Sequence, residues 1–268
     1  MTLLDIAPTV VPLPRRGIDL AYREAGRGEP LVLAMGLGAD GGAWQRHAER
    51  WAETFRCIAV DNRGAGRSSA PPGPYRTREL ADDYAELIGE LGLGPVRVVG
   101  VSMGGAIAQE LALRHPGLVR KLVLVSSWAR LDAYTAEVFA NLAAVRAQAD
   151  PATFTRLLQL WIWSPGWFDR HGPELGAELA APGPMSQHAF AAQAAACAGH
   201  DTLDRLGSIA VPTLVTAGSR DVFTPPRFAA ELVAAIPGAR LEVFDGSAHT
   251  HHWERLDEFN DLVLRWLR

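Results

Sequence analysis

The stretch VRVVGVSMGGAIAQELALRHP, residues 96–116, joins a strand pattern to a helix pattern at a single serine. The valine-rich residues 96–101 are typical of a buried parallel strand. The apolar and small residues at 103–114 are typical of a helix. Gly100 and Gly104 flank Ser102, which predicts a tight reversal that holds the serine in a strained backbone conformation at the carboxyl end of the strand. This is the pattern of a nucleophile elbow, although a glycine-rich turn with an incidental serine is the alternative.

Length and composition set broad limits on the function. The 268 residues are enough for one α/β domain with an insertion, or for two small domains. A net charge of −4 argues against a nucleic-acid surface, so we expect no nucleic-acid partner. No apolar run approaches the roughly 18 residues that cross a bilayer, and the beginning of the chain lacks a signal-peptide pattern. We therefore expect no membrane partner and a cytoplasmic location. Cys57 lies in an apolar strand-like run and Cys197 in an alanine-rich stretch, so we expect two buried free thiols rather than a disulfide.

Strand and helix patterns alternate along residues 1–128 and again along 207–268, which predicts a core with a parallel sheet. Residues 129–206 break this rhythm with an alanine-rich, helical composition. The sequence therefore predicts that this segment is a helical lid inserted at the carboxyl end of the sheet. Ligands of open α/β sheets bind at that end.

A serine hydroxyl needs a neighbouring base to become a good nucleophile. His249 is the candidate, because it follows the last predicted strand and so emerges at the same sheet edge as Ser102. His251 and His252 raise the alternative of a metal site. No second ligand cluster with zinc-like spacing accompanies them, and we expect no metal and no cofactor.

The base in turn needs an acid that orients it. Asp221 directly follows the penultimate predicted strand, where its carboxylate can accept the second imidazole N–H and fix the tautomer. The alternative role of Asp221 is that of a turn or helix-capping residue. Asp245 and Asp132 are weaker candidates for the acid.

An oxyanion needs backbone donors aimed at the developing negative charge. One candidate is the amide of Met103, directly after the serine. A second donor is expected from the glycine-rich loop at 35–42, where the backbone can approach a ligand closely.

Together these segments resemble the α/β-hydrolase superfamily over nearly the whole chain. Residues 61–68, DNRGAGRS, resemble the family turn Asp-x-Arg-Gly-x-Gly-x-Ser, while 218–221 and 246–249 resemble its acid and histidine segments. The order serine, aspartate, histidine is also that of the family. The resemblance implies the α/β-hydrolase fold, with a mostly parallel eight-stranded sheet, helices on both faces and a helical lid insertion.

One position departs from the family pattern. Met35-Gly36 stands where the family has His-Gly, and by the same pattern the second oxyanion donor is the amide of Leu37. From Asp61 to Gly105 the chain is most similar to 3-oxoadipate enol-lactonases and related small carboxylesterases. This implies a cofactor-free serine hydrolase that cleaves a small-molecule ester or lactone through an acyl-enzyme intermediate.

Other functions share this set of residues. A perhydrolase-type haloperoxidase and a C–C bond hydrolase use the same triad, and the fold also serves non-catalytic small-molecule receptors. In the lid, Trp161 and Trp163 are candidates for substrate binding, as is Trp128 at its start. These rings could instead pack the lid onto the core. The sequence leaves open whether the chain forms a homo-oligomer.

Overall fold

The structure, a computed structural model, describes residues 6–179 and 185–268. Strands from this part of the chain form one eight-stranded sheet. In chain order they are β1 (Thr9–Leu13), β2 (Ile18–Ala25), β3 (Glu29–Ala34), β4 (Phe55–Asp61), β5 (Val96–Val101), β6 (Val119–Val125), β7 (Thr213–Gly218) and β8 (Arg240–Phe244). Their spatial order is β1-β2-β4-β3-β5-β6-β7-β8. Strand β2 is antiparallel to both of its neighbours, β1 and β4, and all the other neighbouring pairs are parallel. The predicted fold class is confirmed.

The helices follow the strands in the expected alternation. They are α1 (Gln45–Trp51), α2 (Thr77–Glu90), α3 (Met103–Arg114), α4 (Ala133–Gln148), α5 (Pro151–Ile162), α6 (Pro165–Glu178), α7 (Gln187–Ala198), α8 (Pro226–Ala235), α9 (His251–Glu254) and α10 (Leu256–Leu267). Short 3-10 turns span Gly41–Trp44, Pro116–Leu118 and Leu203–Ser208. No helix in the described ranges combines the length and the hydropathy that a membrane span requires.

The sheet carries apolar side chains on both faces. Along β3, Leu31 and Leu33 belong to a buried cluster with Trp51 of α1 and Phe259 of α10. Val32, which points to the opposite face, belongs to a second cluster with residues of α2, α3 and α8. Because helices cover both faces, the central strands read as continuous apolar runs rather than as alternating patterns.

Register brings the ends of the parallel strands to one edge. Ala34 at the end of β3 pairs with Gly100 of β5, and Val101 pairs with Val125 at the end of β6. Val125 pairs in turn with Thr216 of β7, and Gly218 pairs with Phe244 where β7 and β8 end. The loops that follow these strands therefore meet at the carboxyl edge of the sheet, where α/β proteins bind their ligands.

Between β6 and β7 the chain forms α4 to α7, as the composition of 129–206 predicts. The two ends of this segment are held together by Arg130, whose guanidinium lies 2.7 Å from carboxylate oxygens of both Asp201 and Asp204. Residues 180–184 of the segment lie outside the described residues. The division into a core of 1–128 with 207–268 and a lid of 129–206 stays a prediction.

The two cysteines are buried free thiols, as expected from their apolar surroundings. Burial raises the pKa of the Cys57 thiol to about 12 and raises that of Cys197 further. Both thiols therefore stay protonated and are poor nucleophiles.

Candidate active site

Ser102 has the strained conformation that its sequence context predicts. It lies between β5 and α3 with φ 55° and ψ −118°, and its N–H donates to Val125 O at 2.8 Å. A Cβ atom on Gly100 would lie 2.3 Å from Gly104 O, and one on Gly104 would lie 2.1 Å from Ala34 O. Neither neighbour can therefore carry a side chain, and the elbow requires glycine at both positions.

The serine opens into a cavity of about 400 Å³ at the carboxyl edge of the sheet, and His249 lines the same cavity. Both side chains are buried, with 3% of Ser102 and 6% of His249 exposed. Within the described ranges, Ser102 Oγ has no hydrogen-bond partner. Its bond to the histidine is therefore not formed here, although catalytic hydrogen bonds commonly tighten only when substrate binds.

His249 is held by Asp221, and its Nδ1 lies 2.9 Å from Asp221 Oδ2. The other carboxylate oxygen, Oδ1, accepts the backbone N–H groups of Phe223 and Thr224, each at 2.8 Å. These contacts fix the orientation of the carboxylate. Because Nδ1 faces an acceptor, the neutral imidazole carries its proton there and leaves Nε2 free to act as a base.

Two hydroxyl residues that the sequence analysis missed support this pair. Thr224 Oγ1 lies 2.8 Å from Asp221 Oδ2 and 3.0 Å from His249 Nδ1. Ser126, which has φ 47°, donates its hydroxyl to the backbone oxygen of His249 at 2.8 Å. The sequence predicts Asp221 and His249 because each follows a strand and so lies at the carboxyl edge of the sheet. Ser126 directly follows β6, so the same reasoning could have identified it.

The two alternative acids lie elsewhere. Asp245 accepts the hydroxyl of Ser219 at 2.9 Å, and Asp132 caps α4 by accepting the N–H of Thr135. Of the three aspartates, Asp221 alone is hydrogen bonded to His249 in the described part of the chain.

The loop after β3 lies against the serine. A Cβ atom on Gly36 would lie 3.3 Å from Ser102 Cβ, and Leu37 lines the cavity. Within residues 6–179 and 185–268, neither the Leu37 N–H nor the Met103 N–H donates a hydrogen bond to the protein. Both groups are therefore free to donate to a ligand, as an oxyanion site requires.

The segment DNRGAGRS, residues 61–68, holds the loop at 35–42 through hydrogen bonds. Asp61 is fully buried and accepts the N–H of Gly41 at 2.9 Å, while Asn62 Nδ2 donates to Met35 O at 2.8 Å. Burial raises the pKa of the Asp61 carboxyl above its ordinary value. Gln193 of α7 contacts the same loop, and its Oε1 accepts the N–H of Gly38 at 3.1 Å. The loop is thus anchored at both ends, which favours a preformed site.

The remaining histidines near the edge are buried and neutral. Burial lowers the pKa of His251 to about 3 and that of His252 well below its ordinary value. His251 Nε2 lies 2.9 Å from Thr216 Oγ1 and so has a protein partner. Among the described residues, no group of three or more histidine, cysteine, aspartate or glutamate side chains could hold a metal ion.

The cavity wall is mostly apolar, and the predicted tryptophans contribute unequally. Trp163 lines the cavity, whereas Trp128 and Trp161 are not among the described residues that do so. Trp128 is fully buried and packs against Phe139 at 5.2 Å between ring centroids. Trp161 lies 6.1 Å from the ring of Phe223. Other apolar wall residues come from α5 and α7: Phe154, Leu158, Ile162 and Phe190.

One cationic side chain also lines the cavity. Arg146 of α4 is half-buried, and burial lowers the pKa of its guanidinium below the ordinary value. The sequence analysis did not identify it, because helix α4 has no clear amphipathic pattern from which to predict which of its faces lines the site.

Comparisons with known proteins agree with this architecture. The model of a family described as alpha/beta hydrolase fold matches residues 29–256. A protein of Azorhizobium caulinodans that carries the name carbamate hydrolase RutD is 31% identical over 249 residues, which cover 92% of this chain and 94% of that one. A Mycobacterium tuberculosis protein named as the non-heme bromoperoxidase BpoC is 33% identical, with 93% and 97% covered.

A solved structure gives the same result. The enol-lactonase from Burkholderia xenovorans LB400 superposes with a TM-score of 0.89 at 26% identity, covering 97% of this chain and 99% of that one. The similarity therefore extends through the helical segment between β6 and β7 as well as the sheet. This chain belongs to the alpha/beta hydrolase fold family and is an enzyme of that family.

Proposed function

We propose that the protein is a serine hydrolase that cleaves a carboxylic ester or lactone through an acyl-enzyme intermediate. The observation that carries this proposal is that Ser102 and the hydrogen-bonded pair His249–Asp221 face one cavity at the carboxyl edge of the sheet. The mostly apolar wall of that cavity suits the carbon skeleton of a small ester or lactone.

In the first half of the reaction, Ser102 Oγ attacks the substrate carbonyl carbon and its proton passes to His249 Nε2. Asp221 keeps the imidazole in the required tautomer and stabilises the imidazolium that forms. The N–H groups of Leu37 and Met103 donate to the carbonyl oxygen as it becomes negative. Each such donor contributes roughly 2.7–4 kcal/mol to transition-state stabilisation. The imidazolium then protonates the leaving alkoxide, which departs as the alcohol.

In the second half, water takes the place of the alcohol. His249 accepts a proton from the water, whose oxygen attacks the acyl carbon bound to Ser102. The tetrahedral intermediate collapses with transfer of the proton back to Ser102 Oγ, and the carboxylic acid leaves. A lactone follows the same steps, except that its alcohol stays attached to the acyl group.

The test is labelling and turnover on one preparation. A serine-directed organophosphonate should label Ser102 and stop hydrolysis of p-nitrophenyl butyrate, and Ser102→Ala should be inactive. Ser219→Ala is the control, since Ser219 is at the same edge but its hydroxyl donates to Asp245. Full activity of Ser102→Ala, or labelling of a different serine, would contradict the proposal. Binding of esters without turnover would instead favour a receptor.

A second candidate, perhydrolysis, is favoured by the relative that carries a bromoperoxidase name. In that reaction, hydrogen peroxide replaces water as the nucleophile and the acyl group leaves Ser102 as a peracid. Adding peroxide and bromide to the ester assay and following bromination of monochlorodimedone measures this activity. A carbamate should be assayed in the same series, because another relative carries the name carbamate hydrolase.

A further inference from the structure

Arg146 presents a cation to the same cavity as Ser102 and His249. Its Nη2 donates to the backbone oxygen of Met185 at 2.6 Å, and its guanidinium carbon lies 4.8 Å from the ring centre of Phe190. Phe154 lies on a second side at 5.4 Å. Arg146 Nε is buried and has no hydrogen-bond partner among residues 6–179 and 185–268. These contacts hold the guanidinium in place, but they leave its Nε–H without an acceptor from the described residues.

Two other partly buried arginines are paired with carboxylates. Arg63 lies 2.6 Å from Asp83, and Arg23 lies 3.2 Å from Asp61. Within the described residues, no carboxylate lies within 4 Å of Arg146, and the acid on the same cavity wall, Glu178, accepts from Gln159 instead. A partly desolvated cation without an anion costs free energy, so a site that keeps one implies an anion from the ligand.

We propose that Arg146 binds a carboxylate of the substrate, which makes the substrate an ester or lactone that carries a second, ionised carboxyl group. This inference rests on the proposed function and specifies its substrate class. A guanidinium offers a planar pair of donors that matches a carboxylate. The single positive charge of Arg146 matches one carboxylate, and the negative charge of Glu178 on the same wall further disfavours a phosphate dianion. The apolar side chains around Arg146 suit the hydrocarbon part that joins the two ends.

Matched substrate pairs test the charge directly. In the p-nitrophenyl monoesters of adipate, pimelate and suberate, an isopropyl group can replace the distal carboxylate to give the neutral branched ester of the same shape. We expect one carboxylated ester to have a kcat/KM about 10- to 100-fold above its neutral partner. The pair 4-carboxyphenyl and 4-isopropylphenyl butyrate tests a carboxylate on the alcohol side.

Variants then assign the preference to one residue. Arg146→Met should remove this preference by lowering kcat/KM for the carboxylated ester about tenfold or more relative to its neutral partner, and Arg146→Lys should retain part of the preference. Arg156→Met is the matched control, since Arg156 is also half-buried and packs on an aromatic ring, that of Phe168, away from the described lining of the cavity. The thermal unfolding midpoint and the far-UV circular dichroism spectrum of each variant show whether it is folded.

A binding measurement separates this inference from the proposed function. Calorimetric titration with adipate requires no turnover, and we expect Arg146→Met to weaken adipate binding about tenfold or more while Arg156→Met does not. If no ester is hydrolysed but this binding difference remains, the proposed function fails and the carboxylate site stands. If wild type shows no preference in any pair, or Arg146→Met affects charged and neutral ligands equally, the carboxylate site is wrong.

Discussion

Gly36 lies so close to Ser102 that a Cβ atom at position 36 would be 3.3 Å from the serine Cβ. The loop that carries the proposed oxyanion donor is thus in contact with the proposed nucleophile, and a displacement of one moves the other. The loop itself is supported from outside the cavity by Asn62, which donates to Met35 O.

We expect Gly36→Ala to lower kcat by about tenfold or more with a small change in KM, because misplacement of a donor weakens transition-state binding most. Steady-state kinetics with p-nitrophenyl butyrate measures this. Gly89→Ala in α2 is the control, since a Cβ atom there meets nothing within 4 Å. A Gly36→Ala enzyme with normal kcat would show that the loop does not set the reaction geometry.

Asp221→Asn should lower kcat by about 10⁴-fold, because the amide can present its NH2 group to His249 Nδ1 and stabilise the wrong tautomer. Far-UV circular dichroism should be unchanged. Asp245→Asn tests the alternative acid at the same edge, and we expect near-normal kcat from it. The reverse result, with the large loss in Asp245→Asn, would assign the orienting role to Asp245.

Thr224→Val removes the hydroxyl that contacts both Asp221 and His249. A positioning role predicts a kcat reduced roughly tenfold with little change in KM, as expected from the loss of one hydrogen bond to a charged group. Thr202→Val is a suitable comparison, since its buried hydroxyl contacts Gln109, outside the site. If the two variants lose stability equally and neither loses kcat, Thr224 is only structural.

Buried histidines predict how stability depends on pH. Burial lowers the pKa of His47 to about 4, and that of His200 and His251 to about 3. In the unfolded chain each has a pKa near 6.5, so below that pH the unfolded state binds protons that the folded state does not. The free energy of unfolding should therefore fall as pH decreases from 6.5 towards 4, by up to about 1.4 kcal/mol per pH unit for each histidine.

Urea unfolding between pH 7.5 and 5 measures this slope. His200→Gln should reduce the slope by roughly the contribution of one histidine. His188→Gln, at an exposed position, should leave it unchanged. Equal slopes in wild type and His200→Gln would mean that His200 does not titrate differently in the two states.

The sheet and the three proposed catalytic residues could be predicted from the sequence because each depends on a local pattern. Residues that follow parallel strands share one edge, so Ser102, Asp221 and His249 could be placed together before any contact was known. The contacts of Thr224 were not predictable, because they depend on how the turn after Asp221 folds back.

The lid was harder to predict for a physical reason. A helix that is apolar on several sides does not reveal which side faces the site, and α4 is alanine-rich throughout. Hence the sequence did not identify Arg146, and it grouped Trp161 with Trp163 although their surroundings differ.

The aromatic side chains of the lid give the last prediction. Trp163 lines the cavity and its ring stacks on Trp167 at 5.1 Å between centroids, so its removal enlarges the cavity without opening the core. We expect Trp163→Ala to shift the preferred acyl chain of p-nitrophenyl esters towards longer chains, measured as relative kcat/KM across the series. Trp128→Phe is the comparison, because Trp128 is fully buried beside Phe139. That variant should lower the unfolding midpoint while keeping the wild-type chain-length profile. If Trp128→Phe changes the chain-length profile and Trp163→Ala only lowers the unfolding midpoint, the acyl group lies beside Trp128 and Trp163 is a packing residue.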